Sequence, residues 1–210
     1  MFYLIKTPGI LKKLYPECVW EVQTIEKIAY LTFDDGPHPD VTPFVLEQLK
    51  EHSAKATFFC IGKNVQENFD QYKEIVSAGH AVGNHTFNHL NGWKTPDRNY
   101  IEDVRKAADI IDSTLFRPPY GRITRFQIKA LQGERLNLKT IMWDVLSGDF
   151  DEKVSSDNCY LNVVKNVRPG SIIVFHDSLK AFPRLQFALP RVLDFFAENG
   201  FRFEAIPRGI

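Results

Sequence analysis

Apolar, β-branched or aromatic runs alternate with helix-period segments along the whole chain, and this predicts an α/β fold built on parallel strands. Two observations bear on its form. The seven strand candidates are enough to close a small barrel, although an open doubly wound sheet gives a similar alternation. Short polar clusters also recur where the apolar runs end, which is where α/β barrels gather catalytic groups. The strand candidates are 27–33, 56–61, 81–84, 114–116, 139–145, 171–175 and 201–206.

Between them, helices are predicted over 41–52, 65–78, 97–112, 125–131, 158–167 and 184–199. Val41, Phe44, Val45 and Leu49 recur at helical spacing, as do Leu189, Val192, Leu193 and Phe196, so each segment has one apolar face. Gly79, Gly170 and Gly200 follow helical segments, where a left-handed residue is favoured. Strand–helix–strand units imply right-handed crossovers. No repeat, linker or low-complexity stretch divides the 210 residues, which read as one domain. Residues 1–22 form an extension expected to cap the bottom of the barrel.

Lys plus Arg and Asp plus Glu both total 26, so no net field draws in nucleic acid or an acidic membrane. Cys18, Cys60 and Cys159 lack metal-ligand or disulfide spacing and read as buried thiols. The extension has no uninterrupted apolar stretch typical of a secretory signal, and nothing later reaches membrane-spanning length. On this sequence the protein is expected in the cytoplasm, with association to the cell envelope as the alternative.

Five clusters carry the chemistry. Asp34 and Asp35 end the first strand candidate; successive strand residues point to opposite sides, so one carboxylate can bind a metal while the other stays free as a base. His85 and His89 stand four apart, and a helical turn over 86–89 would aim both imidazoles at one ion. Two His and one carboxylate suit zinc, or cobalt, nickel or iron, with positions left open for water and substrate. Arg117 precedes Pro118-Pro119-Tyr120, a stiffened segment that can hold it bidentately against an acidic partner and aim the Tyr120 amide into a pocket. His176 ends the most apolar strand, where an imidazole can serve as acid or base, with Asp149 and Asp177 as candidates to steady its charged form. Phe87, Trp93, Trp143 and Phe150 are rim aromatics able to stack on a sugar. His80 is assigned to packing or capping.

With Thr32–Pro37, His85–His89, Arg117–Tyr120 and the Val174-Phe175-His176 strand end in order, the chain resembles the polysaccharide deacetylases of carbohydrate esterase family four. The resemblance covers roughly 28–203 and implies a distorted (β/α)7–8 barrel, TIM-like, with a divalent ion, usually zinc. It further implies Asp35, His85 and His89 as metal ligands, Asp34 as base, Arg117 as its orienting partner and the Tyr120 amide as oxyanion donor. His176 would be the general acid, supported by Asp149, with Trp143, Phe150 and Pro119 at the substrate. The implied substrate is an N-acetylhexosamine glycan such as chitin or peptidoglycan.

One motif departs from the family pattern. Leu146 and Phe150 stand where the family has Asp and Trp, so a carboxylate near the acid His is missing; Asp149 or Asp144 is the candidate substitute. Two other readings remain: a metal amidase acting on a small acylated metabolite, and a catalytically silent glycan-binding module, which only Leu146 supports.

Overall fold

The computed structural model describes residues 3–133, 135–207 and 209–210; Met1 and Phe2 of the extension lie outside it. In chain order the elements are α1 (Gly9–Leu14), β1 (Ile28–Asp34), α2 (Val41–Glu51), β2 (Ala56–Cys60), α3 (Gly62–Glu67), α4 (Phe69–Ser77), β3 (Ala81–Asn84), α5 (Asp97–Ala108), β4 (Leu115–Phe116), a 3-10 turn (Pro119–Gly121), α6 (Arg125–Gln132), β5 (Lys139–Thr140), β6 (Val145–Leu146), α7 (Ser156–Val164), β7 (Ile172–His176), α8 (Phe182–Glu198) and β8 (Arg202–Phe203). The strands form one parallel sheet in the order β5-β4-β3-β2-β1-β7-β6, with β8 paired to β1.

Alternation along the central strands sorts their side chains into two layers. Leu31 and Phe33 of β1, Phe58 of β2 and Phe175 of β7 face the helices, where Phe33 stacks between Phe58 and Phe175 at centroid distances of 5.1 and 6.2 Å. The inner layer holds Ile28, Tyr30, Phe59 and Ile172. On β1 that inward series runs Ile28, Tyr30, Thr32, Asp34, and on β7 Ile172, Val174, His176. Both ascend from apolar to polar toward the carboxyl ends. β1 and β7 pair in register, and Asp34 stands directly opposite His176.

The expected strand 139–145 is two strands. β5 pairs with β4 at one end of the sheet and β6 pairs with β7 at the other, so residues 141–144 bridge a curled, incompletely bonded barrel. The amino-terminal extension fills that gap. Val19 bridges to Ile141, Lys6 to Val145 and Glu21 to Ser171, while Met142 N–H donates to Val19 O at 2.7 Å. Lys6 and Lys12 both pair with buried Asp144, which therefore anchors the extension and is no part of the acid–base set. Rather than stopping at the base, the extension climbs the flank and brings Tyr3 to the rim, where its ring lies 4.9 Å from Phe150.

Helix ends follow local chemistry. Thr124 and Gln127 form a reciprocal capping box on α6, and Ser155 caps α7, starting it two residues before the predicted 158. The predicted helix 65–78 breaks at Asn68 (φ −127°, ψ 51°), whose side-chain amide donates to Pro37 O. Gly79 and Gly200 terminate α4 and α8 in the left-handed region (φ 77° and 74°). Gly170 is left-handed too, but in the turn leading into β7. All three cysteines are free and buried. Among the described residues no helix is long and apolar enough to cross a membrane.

Candidate active site

Asp34, Asp35, His85, His89 and His176 share one pocket of ≈ 500 Å³ at the carboxyl ends of β1, β3 and β7. The two carboxylates enter it together because the strand stops at Asp34. Asp35 takes φ 82°, leaving the pleat that would have turned it to the opposite face. The following loop is clamped by Asp177, whose carboxylate accepts from Gly36 N–H at 3.0 Å and Thr42 Oγ1 at 2.6 Å. A Cβ on Gly36 would lie 2.0 Å from that carboxylate, so only glycine fits. Asp177 therefore shapes the Asp35 loop and does not steady His176. Burial, foremost among several influences, pushes its carboxyl up to about 7.

Asp35 Oδ1 lies 3.2 Å from His89 Nε2 and 3.7 Å from His85 Nε2, and the three ligand atoms fall within 4.8 Å of one another. Donor chemistry fits a divalent cation. His85 Nδ1 is engaged by the Arg117 carbonyl at 2.8 Å, which fixes the tautomer with Nε2 free toward the cluster. Burial holds the His85 imidazole down to about 4, neutral as a ligand must be. Burial alone would raise Asp35, but contact with His89 and the charge of His176 hold it well below the carboxylate range.

No helical turn presents the histidine pair. His85–His89 is an irregular loop in which Thr86 (φ 64°) and His89 (φ 57°) are left-handed. A β-branched residue reaches that region only when its surroundings compel it. Here Asn84 Oδ1 accepts from Thr86 N–H at 2.8 Å, and Asp103 Oδ2 of α5 accepts from Phe87 and Asn88 N–H at 2.8 and 2.9 Å. Asp103 was missed in the sequence. Its signal was a carboxylate set into the apolar stripe Tyr100, Val104, Ala107. Phe87 belongs to the core beneath this loop, with Lys106 over its ring, and is no sugar platform.

Arg117 is wholly buried and lies 4.1 Å over the Phe59 ring. Its contact with Asp34 is single, Nη1 to Oδ1 at 2.7 Å, and not the bidentate fork expected. The remaining donors reach Thr32 Oγ1 (2.6 Å) and the carbonyls of Ile141 (3.2 Å) and Met142 (3.0 Å). The guanidinium thus braces the gap between the sheet ends as well as Asp34. Across the pocket, Asp149 accepts from His176 N–H at 2.7 Å and pairs with ring Nδ1 at 2.8 Å. Burial works against the charged imidazole, but Asp149, followed by Asp35 and Asp34, pushes it up to about 10. Asp149 also has its carbonyl held by the Arg184 guanidinium.

Tyr120 begins the rim opposite His176. It is left-handed (φ 60°), and its ring packs 4.7 Å from His89. Trp143, Leu146 and Phe150 line the pocket, with the Phe150 ring 5.2 Å from His176. Pro119 does not line it. That residue opens the 3-10 turn, points inward and is buried, leaving Pro118 at the wall. Trp93 stands on the neighbouring flank, its indole N–H bonded to Ile123 O at 2.9 Å. His80 Nδ1 accepts from Ala56 N–H, a packing role as expected.

A curled parallel sheet with titratable groups gathered at its carboxyl ends has the layout of a barrel enzyme. The polysaccharide deacetylase family model matches residues 21–136. A peptidoglycan-N-acetylglucosamine deacetylase of Bacillus cereus is 34% identical over 193 residues, covering 89% of this chain and 90% of that one. A chitooligosaccharide deacetylase of Azorhizobium caulinodans is 37% identical over 155 residues, covering 70% and 72%. A crystal structure of a peptidoglycan N-acetylglucosamine deacetylase superposes with a TM-score of 0.83 at 31% identity, covering 96% of this chain and 95% of that one. The chain belongs to the polysaccharide deacetylase family and is a carbohydrate-esterase hydrolase.

Proposed function

We propose that this protein removes the N-acetyl group from N-acetylglucosamine-type residues of a glycan, releasing acetate and a free amine. The observation that carries the reading is the pairing of Asp34 and His176 on one rung of the sheet beside the Asp35, His85 and His89 cluster. Relatives named for peptidoglycan and chitooligosaccharide support the substrate class. A divalent cation on those three ligands, zinc in this proposal, supplies Lewis-acid polarisation of the acetamide carbonyl and lowers the pKa of water. Asp34, held by Arg117, takes the proton as water attacks the carbonyl carbon. The Tyr120 amide donates to the developing oxyanion, an electrostatic contribution of the kind that dominates acyl transfer. His176 returns a proton to the sugar nitrogen as the C–N bond breaks. Trp143 and Phe150 present ring faces to the sugar.

Acetate release from chitin oligomers or peptidoglycan fragments should cease with a chelator and return with zinc. Activity indifferent to chelation rejects the cation's part, and failure on every N-acetyl glycan rejects the substrate. His85→Ala should lower bound metal, measured by elemental analysis.

Asp149→Asn tests the acid. His176 must be protonated to act, and its raised value keeps it so until the pH approaches about 10. Without the Asp149 charge, burial prevails and the ring deprotonates at lower pH. The alkaline limb of the kcat profile should therefore move acidward, and an unmoved limb rejects the role.

A further inference from the structure

The catalytic pocket opens beside Trp143 and Leu146 onto a groove of ≈ 340 Å³ between the amino-terminal extension and the loop 120–123. All three tryptophans of the chain, Trp20, Trp93 and Trp143, line this groove together with Tyr3, Tyr15 and Tyr120. Tyr3, Tyr120, Gly121, Arg122, Trp143 and Leu146 border both spaces, so the two are continuous. Several polar groups of the lining are hydrogen-bonded within the protein. Trp20 Nε1 donates to Tyr15 O at 3.1 Å, Trp93 Nε1 to Ile123 O at 2.9 Å and Thr7 Oγ1 to Trp143 O at 2.8 Å. Arg122 is the one charged residue among the described lining, and its guanidinium lies 4.2 Å over the Trp93 ring. Leu4, Leu11, Ile123, Met142 and Leu146 add apolar side chains to the aromatic lining. Leu4, Ile10 and Leu14 of the extension are 42%, 68% and 50% exposed.

We propose that this groove takes the alkyl chain of an N-acyl group longer than acetyl, so that the substrates include N-(medium- or long-chain acyl) amino sugars. The inference rests on the amide-hydrolase reading, which sets the orientation. The carbonyl oxygen sits at the Tyr120 amide, and Tyr120 is shared with the groove. The leaving nitrogen faces His176, which together with Phe150, Ser178 and Lys180 borders the catalytic pocket but not the groove. The substituent on the carbonyl carbon therefore points into the groove and the sugar points away. Water adds to that carbon, the C–N bond breaks, and the products are a fatty carboxylate and the protonated amine. Leu146 suits this passage, since a carboxylate there would face the alkyl chain without a partner.

The test compares N-octanoylglucosamine with its N-acetyl counterpart. The wild-type protein should release octanoate, and Leu11→Glu should lower the octanoyl-to-acetyl ratio of kcat/KM by about tenfold or more, the order expected for lost methylene contacts. Leu4→Glu, at an already exposed position, gives the same reading should Leu11→Glu fail to fold. Because every tryptophan lines the groove, intrinsic fluorescence of the Asp34→Asn variant should shift saturably with the octanoyl compound, less with the acetyl one, and less again when a groove substitution is added. Acetate release with neither octanoate release nor a shift overturns the inference. So does a ratio and a shift untouched by both groove substitutions. If neither compound is hydrolysed, the proposed activity fails, and the fluorescence titration alone decides the groove: a saturable shift sensitive to the groove substitutions supports it, and no shift overturns it.

Discussion

Asp34→Asn should cut acetate release by about 10²–10⁴-fold, the usual span for a positioned base, while bound metal stays near the wild-type content. The substitution keeps the side chain's shape and an oxygen for Arg117 Nη1, now 2.7 Å away, but removes the group that accepts the proton. Asp35, His85 and His89 are untouched. Elemental analysis beside an acetate assay separates loss of the base from loss of the site. Wild-type-like turnover in this variant would return the base assignment to Asp35 or to solvent.

The second large effect falls on stability. Arg117→Met should lower unfolding free energy by about 3–5 kcal/mol, the usual result of stripping one partner from a buried ion pair, and should abolish activity. Asp34 would remain buried beside Thr32 with no cation, and the Ile141 and Met142 carbonyls would lose their donors at the gap between the sheet ends. Arg117→Lys restores charge but cannot span three directions, so it should recover only part of the loss. Denaturant unfolding midpoints measure both. A midpoint for Arg117→Met equal to that of the wild type would mean that the guanidinium braces nothing.

Much of the fold and of the site is legible in the sequence. Continuous apolar runs locate β1, β2 and β7 within a residue or two, because those strands are buried on both faces, and the short segment after Gly79 locates β3. The pocket side chains were legible because strand ends in a parallel barrel face one side. What stayed hidden was non-local. Nothing in 139–145 marks the switch from one sheet end to the other, which depends on Arg117 and Val19 reaching it from elsewhere. The same limit hid Tyr3, whose place at the rim follows from the course of the extension. The helical turn that the four-residue spacing allows over 86–89 does not form, because the loop's conformation is imposed by Asn84 and Asp103, and neighbour spacing cannot report a hydrogen bond from a distant helix.

Asp34 and His176 are Cα partners in adjacent strands, so the backbones that carry the proton acceptor and the proton donor stand one inter-strand spacing apart, about 4.8 Å. That backbone spacing is set by the strand ladder, while the His176 ring is held by Asp149 and Phe150. The segment bearing Tyr3, which reaches the rim from the extension, can thus be exchanged or lengthened to admit other molecules while the backbone positions of the two residues stay fixed. A library confined to the Tyr3 segment, which carries none of the acid–base or oxyanion groups, should diversify what is cleaved without retuning how it is cleaved.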